Sequence, residues 1–321
     1  MVGTVTTDLP LSNVTSGYLD YEDVSQSQCI THNYTMLAIA GVCITICLCG
    51  LVGNVAVVWV LGFHMKKSPF TVYVLNLAVA DLALLLFLLV ILSFYVTSTV
   101  SCSFLFEHSV AKYVLMDLFL FWYFASMYLL TAMSMERCLS VLFPIWYRCR
   151  RPKHFSGITC GVLWALAGVL ISLNFMGCYY PMGINCIQLL QGISIMNFII
   201  FSLFPFLSNL SLFMKLRYGT QKQHPGKLYV VVLLSVIFLF IFGFPFSVVV
   251  FLEPIYLNLF YIHISYLLAS LNSSINPYIY FLVGSCQQRR FQVSAKAAFR
   301  RVFEEKMTST VPGDTVVETS L

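Results

Sequence analysis

The sequence predicts an all-α membrane protein, a bundle of seven transmembrane helices with its N-terminus outside the cell. Seven apolar runs, at roughly 36–63, 70–97, 110–140, 155–178, 187–214, 228–252 and 257–283, each reach the length of about 20 residues that a bilayer core requires at 1.5 Å per residue. The composition is 59% hydrophobic and 10% charged, against about 25% charged in soluble domains. The charges also sort by side. With the N-terminus outside, seventeen of the eighteen Lys and Arg face the cytoplasm, and Lys112 alone lies outside. Loop charge of this kind orients helices on insertion, so the net charge of +5 is an inward bias facing anionic lipid rather than a nucleic-acid surface.

Four segments follow. Residues 1–34 form an extracellular, disordered, glycosylated tail, 35–285 the bundle, 286–304 an amphipathic cytoplasmic helix eight, and 305–321 a cytoplasmic tail. The outer tail carries Asp8, Asp20, Glu22 and Asp23 and no Lys or Arg. Asn13-Val14-Thr15 and Asn33-Tyr34-Thr35 fit the glycosylation pattern. Tyr18 and Tyr21 sit among the acids, as sulfated tyrosines do. The tail reads as a solvated coil or as a segment that captures ligand.

Within the spans, each ionisable group needs a reason, because it costs about 2.5–3.5 kcal/mol at a helix centre. Asp81 lies in the middle of helix two. In helix three, Ser126 precedes Arg137 by three turns on the same face. In helix seven Asn272, Asn276 and Tyr280 recur every four residues, with Ser273 beside the first. Brought to one depth, Asp81, Ser126, Asn272, Ser273 and Asn276 offer one carboxylate and neutral oxygens. That set suits a small hard cation such as sodium or a hydrogen-bonded water network. No other cofactor is expected. Pro205, Pro245 and Pro277 fall inside helices five, six and seven, where a missing backbone donor bends the helix. Bent helices meeting at a polar midplane can hold two arrangements, which suits a switch and also a transporter.

The transporter or channel reading is the alternative class. It finds no internal repeat and no matched pair of broken helices, and a single mid-membrane acid makes a thin ion path. An enzyme reading finds no His-Glu-x-x-His run and no Gly-x-Ser-x-Gly elbow.

Gly53-Asn54, Leu77-Ala78-Val79-Ala80-Asp81, Glu136-Arg137-Cys138, Trp164, Pro205, Pro245 and Asn276-Pro277-Tyr278-Ile279-Tyr280 occur in this order over roughly 36–303. Together they resemble the rhodopsin-like G protein-coupled receptors. The run from Met133 to Pro152, with Asn276 to Ser285, is similar to the Mas-related receptors. So are two departures, Lys112 where a helix-three cysteine is usual and Gly243 where a tryptophan is usual, in Phe242-Gly243-Phe244-Pro245.

The resemblance implies a multi-pass plasma-membrane receptor that activates a heterotrimeric G protein, Gq ahead of Gi. Its activation switch would comprise Glu136, Arg137, Cys138, Phe213, Asn276, Pro277 and Tyr280. Arg137 would meet the G protein as helix six swings outward, Tyr280 would support it, and Glu136 would restrain it at rest. Residues 221–228 lack the acid that often restrains helix six. With no tryptophan at Gly243, Phe242 or Phe244 is expected to supply its bulk. The implied ligand set is Lys112, Asp117, Phe119, Gly243, Phe244, Glu253 and His263. Arrestin is a further expected partner.

The ligand is expected to be a cationic peptide or amine. Asp8, Asp20, Glu22, Asp23, Glu107, Asp117 and Glu253 lie at or near the outer mouth against Lys112, a field that speeds encounter with cations. By phase, Asp117 lies about 160° from the Arg137 face, whereas Lys112 and Phe119 align with it. Asp117 can therefore serve helix four instead of a ligand, Glu253 can be a solvated helix end, and Lys112 can hold a ligand carboxylate.

Eleven cysteines fall mostly within spans, where they act as small apolar groups. Cys29, Cys102, Cys178 and Cys186 can meet oxidising solvent. The loop from Cys178 to Cys186 is short, and the lost helix-three cysteine leaves these two to pair as a disulfide. Cys29 with Cys102 is the further pairing open. After Cys286, a palmitoylation candidate, Phe291, Phe299 and Phe303 alternate with Arg289, Arg290, Lys296, Arg300 and Arg301, a basic amphipathic helix for the inner leaflet. Thr319-Ser320-Leu321 fits a PDZ ligand.

Overall fold

The computed structural model describes residues 34–65, 68–101, 110–152, 154–179, 186–218, 227–252 and 259–285. All are helix or the short turns between helices. The tail with Asn13 and Asn33, Cys29, Cys102, Glu253, Cys286, helix eight and the last residues lie outside this set. So do the side chains of Lys112, Cys178 and Cys186, although their backbones are helical.

Helix one is Tyr34–Phe63, helix two Pro69–Val100, helix three Val110–Leu142, helix four Phe155–Tyr179 and helix five Cys186–Tyr218. Helix six comes in three pieces, Lys227–Phe238, Leu239–Gly243 and Phe244–Leu252, and helix seven is Leu259–Ser285. A short helix, Pro144–Cys149, bridges helices three and four on the cytoplasmic side. The first six spanning helices are apolar enough to cross a membrane by composition alone. Helix seven has the length, 27 residues, and carries the polar face expected of it. The architecture is a seven-helix membrane bundle.

Local chemistry places the ends. Ser68 caps helix two: its hydroxyl accepts the Thr71 N–H at 3.2 Å, and the Thr71 hydroxyl accepts the Ser68 N–H at 2.7 Å. Pro69 follows at the first position, where its missing N–H costs nothing.

Helix one packs on helices two and seven, and helix three runs through the middle against two, four, five and six. The closest approach is made by small residues. A Cβ added at Gly50 would lie 2.1 Å from the Ser274 hydroxyl, so the absent side chain is what lets helices one and seven touch. Asn54 ties the same pair, donating to the Gly50 and Ser273 carbonyls at 3.0 Å each.

The prolines act differently from one another. Pro205 and Pro277 sit inside unbroken helices. Ahead of Pro245, helix six widens into a π turn over Leu239–Gly243, and the Phe244 N–H reaches back to the Leu239 carbonyl. Proline cannot donate to the preceding turn and its ring crowds that carbonyl. The extra residue in the turn relieves the crowding, and such bulges concentrate at functional positions.

Candidate functional site

Three layers line the bundle axis. Outermost is an aromatic chamber. Phe119, fully buried, meets Phe246 edge-on at 5.4 Å and Tyr266 at 5.6 Å, and Phe246 lies 5.9 Å from Tyr266. The buried His263 ring stands 4.4 Å from Tyr95. Of the expected ligand set, Phe119 and His263 thus face the interior. Phe244 turns toward helix five, 4.9 Å from Phe198, and Phe242 stacks on Phe238 at 5.5 Å. The buried ring on this part of helix six is Phe246, 3% exposed and 4.6 Å from Tyr123.

Asp117 is 8% exposed. Its Oδ1 accepts the Asn174 amide of helix four at 3.0 Å, and its Oδ2 has no hydrogen-bond partner among the described residues. The helical phase that set Asp117 off the Arg137 face is the reason it reaches helix four.

The middle layer is polar and closed. Asp81 is fully buried. One carboxylate oxygen accepts the Ser126 hydroxyl at 2.7 Å and the other the Asn276 amide at 3.0 Å. Ser273 also faces the Asp81 carboxylate, and Asn272 Oδ1, buried beside helix six, has no hydrogen-bond partner among the described residues. At this depth helices three, six and seven touch at Gly243. A Cβ there would lie 3.0 Å from Met127 Sδ and 3.2 Å from the Asn272 amide, leaving no room for an indole in this arrangement. Tyr123, absent from the sequence-based set, reaches Gly243 instead, donating to its carbonyl at 2.8 Å. Its position four residues after Phe119, on one helical stripe, is the signal that could have found it.

The inner layer is a mostly apolar plug of Phe70, Leu130, Met133, Val231, Val232, Ser235, Val236 and Tyr280, with Tyr280 only 2% exposed. Beneath it, Glu136 does not turn to Arg137. Its Oε1 accepts the Tyr147 hydroxyl at 2.8 Å and forms an ion pair with Arg151. Arg151 also donates to Ser156 at 2.6 Å, and its guanidinium lies 4.7 Å from the Tyr147 ring and 5.4 Å from that of Phe155. Burial, and next the negative charge of Glu136, pushes the Tyr147 phenol up to about 12. The Arg137 guanidinium lies over the Phe70 ring at 4.2 Å. Cys138 is buried, while Phe213 is 56% exposed on the outside of helix five. Trp164 donates to Asn76 at 3.1 Å, joining helices two and four.

The sequence of the 7 transmembrane receptor (rhodopsin family) model matches residues 53–280, the stretch that holds all three layers. The chain belongs to the rhodopsin family of seven-transmembrane receptors, in its Mas-related branch. Proto-oncogene Mas of Mus musculus is 38% identical over 265 residues, 80% of this chain and 81% of that one. Mas-related G-protein coupled receptor member D of Rattus norvegicus is 39% identical over 278 residues, 81% and 84% of the two chains. Member H of Rattus norvegicus is 36% identical over 284 residues, 85% and 84%. The transporter, channel and enzyme readings end here: this is a multi-pass receptor of the plasma membrane, and its partners are a ligand outside and a G protein inside.

Proposed function

We propose that this Mas-related receptor responds to a cationic peptide or amine and couples to a Gq-type G protein, with Gi second. The observation that carries the ligand class is Asp117, a carboxylate buried in the outer half of the bundle with one oxygen uncommitted among the described residues. An unpaired acid in a span is expensive, and a ligand cation would relieve it. The rings of Phe119, Phe246 and Tyr266, on another face of helix three, offer π faces to a second cationic group of the ligand. Glu253, outside the described residues, would draw the cation toward the mouth. Lys112 would take a ligand carboxylate.

Inside, Arg137 would engage the G protein once helix six leaves the plug, with Asn276, Pro277 and Tyr280 as the moving segment of helix seven. Sodium, if bound, would sit on Asp81, Ser126, Asn272, Ser273 and Asn276 and hold the closed arrangement by its charge. Cys178–Cys186 pairing, glycosylation at Asn13 and Asn33, palmitoylation of Cys286, and arrestin and PDZ partners complete the proposal.

The test is a panel of basic peptides and amines read by calcium release in transfected cells. An agonist from that panel should lose potency in Asp117→Asn and in Glu253→Gln at equal surface expression. Unchanged potency in both, or a preference for anionic ligands that Lys112→Ala abolishes, overturns the ligand class.

A further inference from the structure

The π turn of helix six leaves the Gly243 carbonyl facing helix three, and the group that meets it is a phenol. Tyr123 is 2% exposed. Its oxygen lies 2.8 Å from the Gly243 carbonyl and 2.6 Å from the Ser247 hydroxyl. A phenol has one proton, and a carbonyl can only accept. The Tyr123 O–H therefore donates to Gly243, and Ser247 donates to the Tyr123 oxygen. Both bonds cross from helix three to helix six, one on each side of Pro245, so they span the bend.

The contact depends on glycine. With a Cβ at 243 already 3.0 Å from Met127 Sδ, a larger side chain would stand in the space between the two helices. The Tyr123 ring is also joined to the chamber above, 4.6 Å from Phe246 and 6.5 Å from Phe119.

We infer that the Tyr123 hydroxyl, clasped between the Gly243 carbonyl and the Ser247 hydroxyl, is the latch that holds helix six closed and through which a ligand in the aromatic chamber opens it. Tyr123 is thus a positioning residue: it acts on helix six and needs no contact with the ligand's charge. A group wedged among Phe119, Phe246 and Tyr266 displaces the Phe246 ring, turns Tyr123, and breaks both bonds together. Below the bend, the segment Lys227–Phe238 is then held by apolar packing against the plug, which has no directional preference. The inference rests on the receptor reading of the family but on no particular ligand or G protein.

Tyr123→Phe removes the hydroxyl and keeps the ring. Ser247→Ala removes one of the two bonds and leaves the aromatic packing whole. Each net hydrogen bond biases a two-state equilibrium by about three- to tenfold, so Ser247→Ala should raise agonist-independent recruitment of mini-G proteins by about three- to tenfold at matched surface density, and Tyr123→Phe, which removes both bonds, by about ten- to a hundredfold. A second readout is the distance distribution between spin labels on the inner ends of helices two and six in purified receptor without G protein. It should gain a longer component in the same order. A purely structural role would lower surface density or thermal stability and leave that distribution at its wild-type form.

Wild-type distances and basal recruitment in both variants, or a fall in either, overturn the latch. Should Tyr123→Phe fail to reach the surface, Ser247→Ala decides alone. The spin-label distances report helix six with no G protein present, so failure of coupling and failure of the latch are read separately.

Discussion

Replacing Glu136 with Gln separates a restraint on Arg137 from an anchor for Arg151. If Glu136 restrained Arg137, Glu136→Gln would free the arginine and raise basal coupling about tenfold or more. In the structure its carboxylate is committed to Arg151 and Tyr147, so Glu136→Gln should change basal coupling by less than about threefold and act on stability instead. The magnitudes follow from what each partner keeps. After Glu136→Gln, Arg151 retains Ser156 at 2.6 Å and two ring faces, and the amide still accepts from Tyr147. The loss is then a single charge-assisted bond, about 2 kcal/mol. After Arg151→Gln, a carboxylate that is 3% exposed keeps the Tyr147 bond and an amide in place of a guanidinium. That falls in the range for a buried pair broken from one side, about 3–5 kcal/mol. The double variant should recover part of the loss, because neither charge is stranded. Thermal inactivation of the purified receptor in detergent, across the four-member cycle, measures this order. Equal losses in the two single variants, or a basal signal about tenfold higher in Glu136→Gln, would refute the assignment of Glu136 to Arg151.

Two further outcomes are expected. Asp81→Asn should abolish any dependence of agonist affinity on sodium, since Asp81 is the one full charge in that layer; identical sodium titrations in wild type and variant would favour the water network. Cys178→Ser and Cys186→Ser should each lower surface display more than Cys29→Ser does, and non-reducing peptide mapping should recover the 178–186 pair; two alkylatable thiols there would refute it.

The spans, their order and the meeting of Asp81 with Ser126 and Asn276 were legible because each follows from a period. Apolar runs of bilayer length and polar residues that repeat every turn, or three turns apart, on one face survive any detail of packing. The partner of Glu136 was not legible. Arg137 is its sequence neighbour, but adjacent helical residues do not face each other, and Arg151 arrives only through the fold of the short helix Pro144–Cys149. The interior ring of helix six was misread for a related reason. Phe242 and Phe244 flank Gly243 in sequence, but adjacent helical residues do not share a face, and Phe246, three residues on from Gly243 in the α-helical segment Phe244–Leu252, is the buried ring. The Tyr123 contact depends on an absent side chain at Gly243, which no hydrophobic pattern reveals.

If the receptor signals as proposed, the inner end of helix three acts on the G protein through Arg137. Nucleotide exchange on purified heterotrimeric G protein, catalysed by the purified receptor and by Arg137→Ala at equal amounts of folded protein, tests it most directly. Exchange above the receptor-free rate is expected for the wild type, and the receptor-free rate for Arg137→Ala. Full exchange by Arg137→Ala would contradict that role.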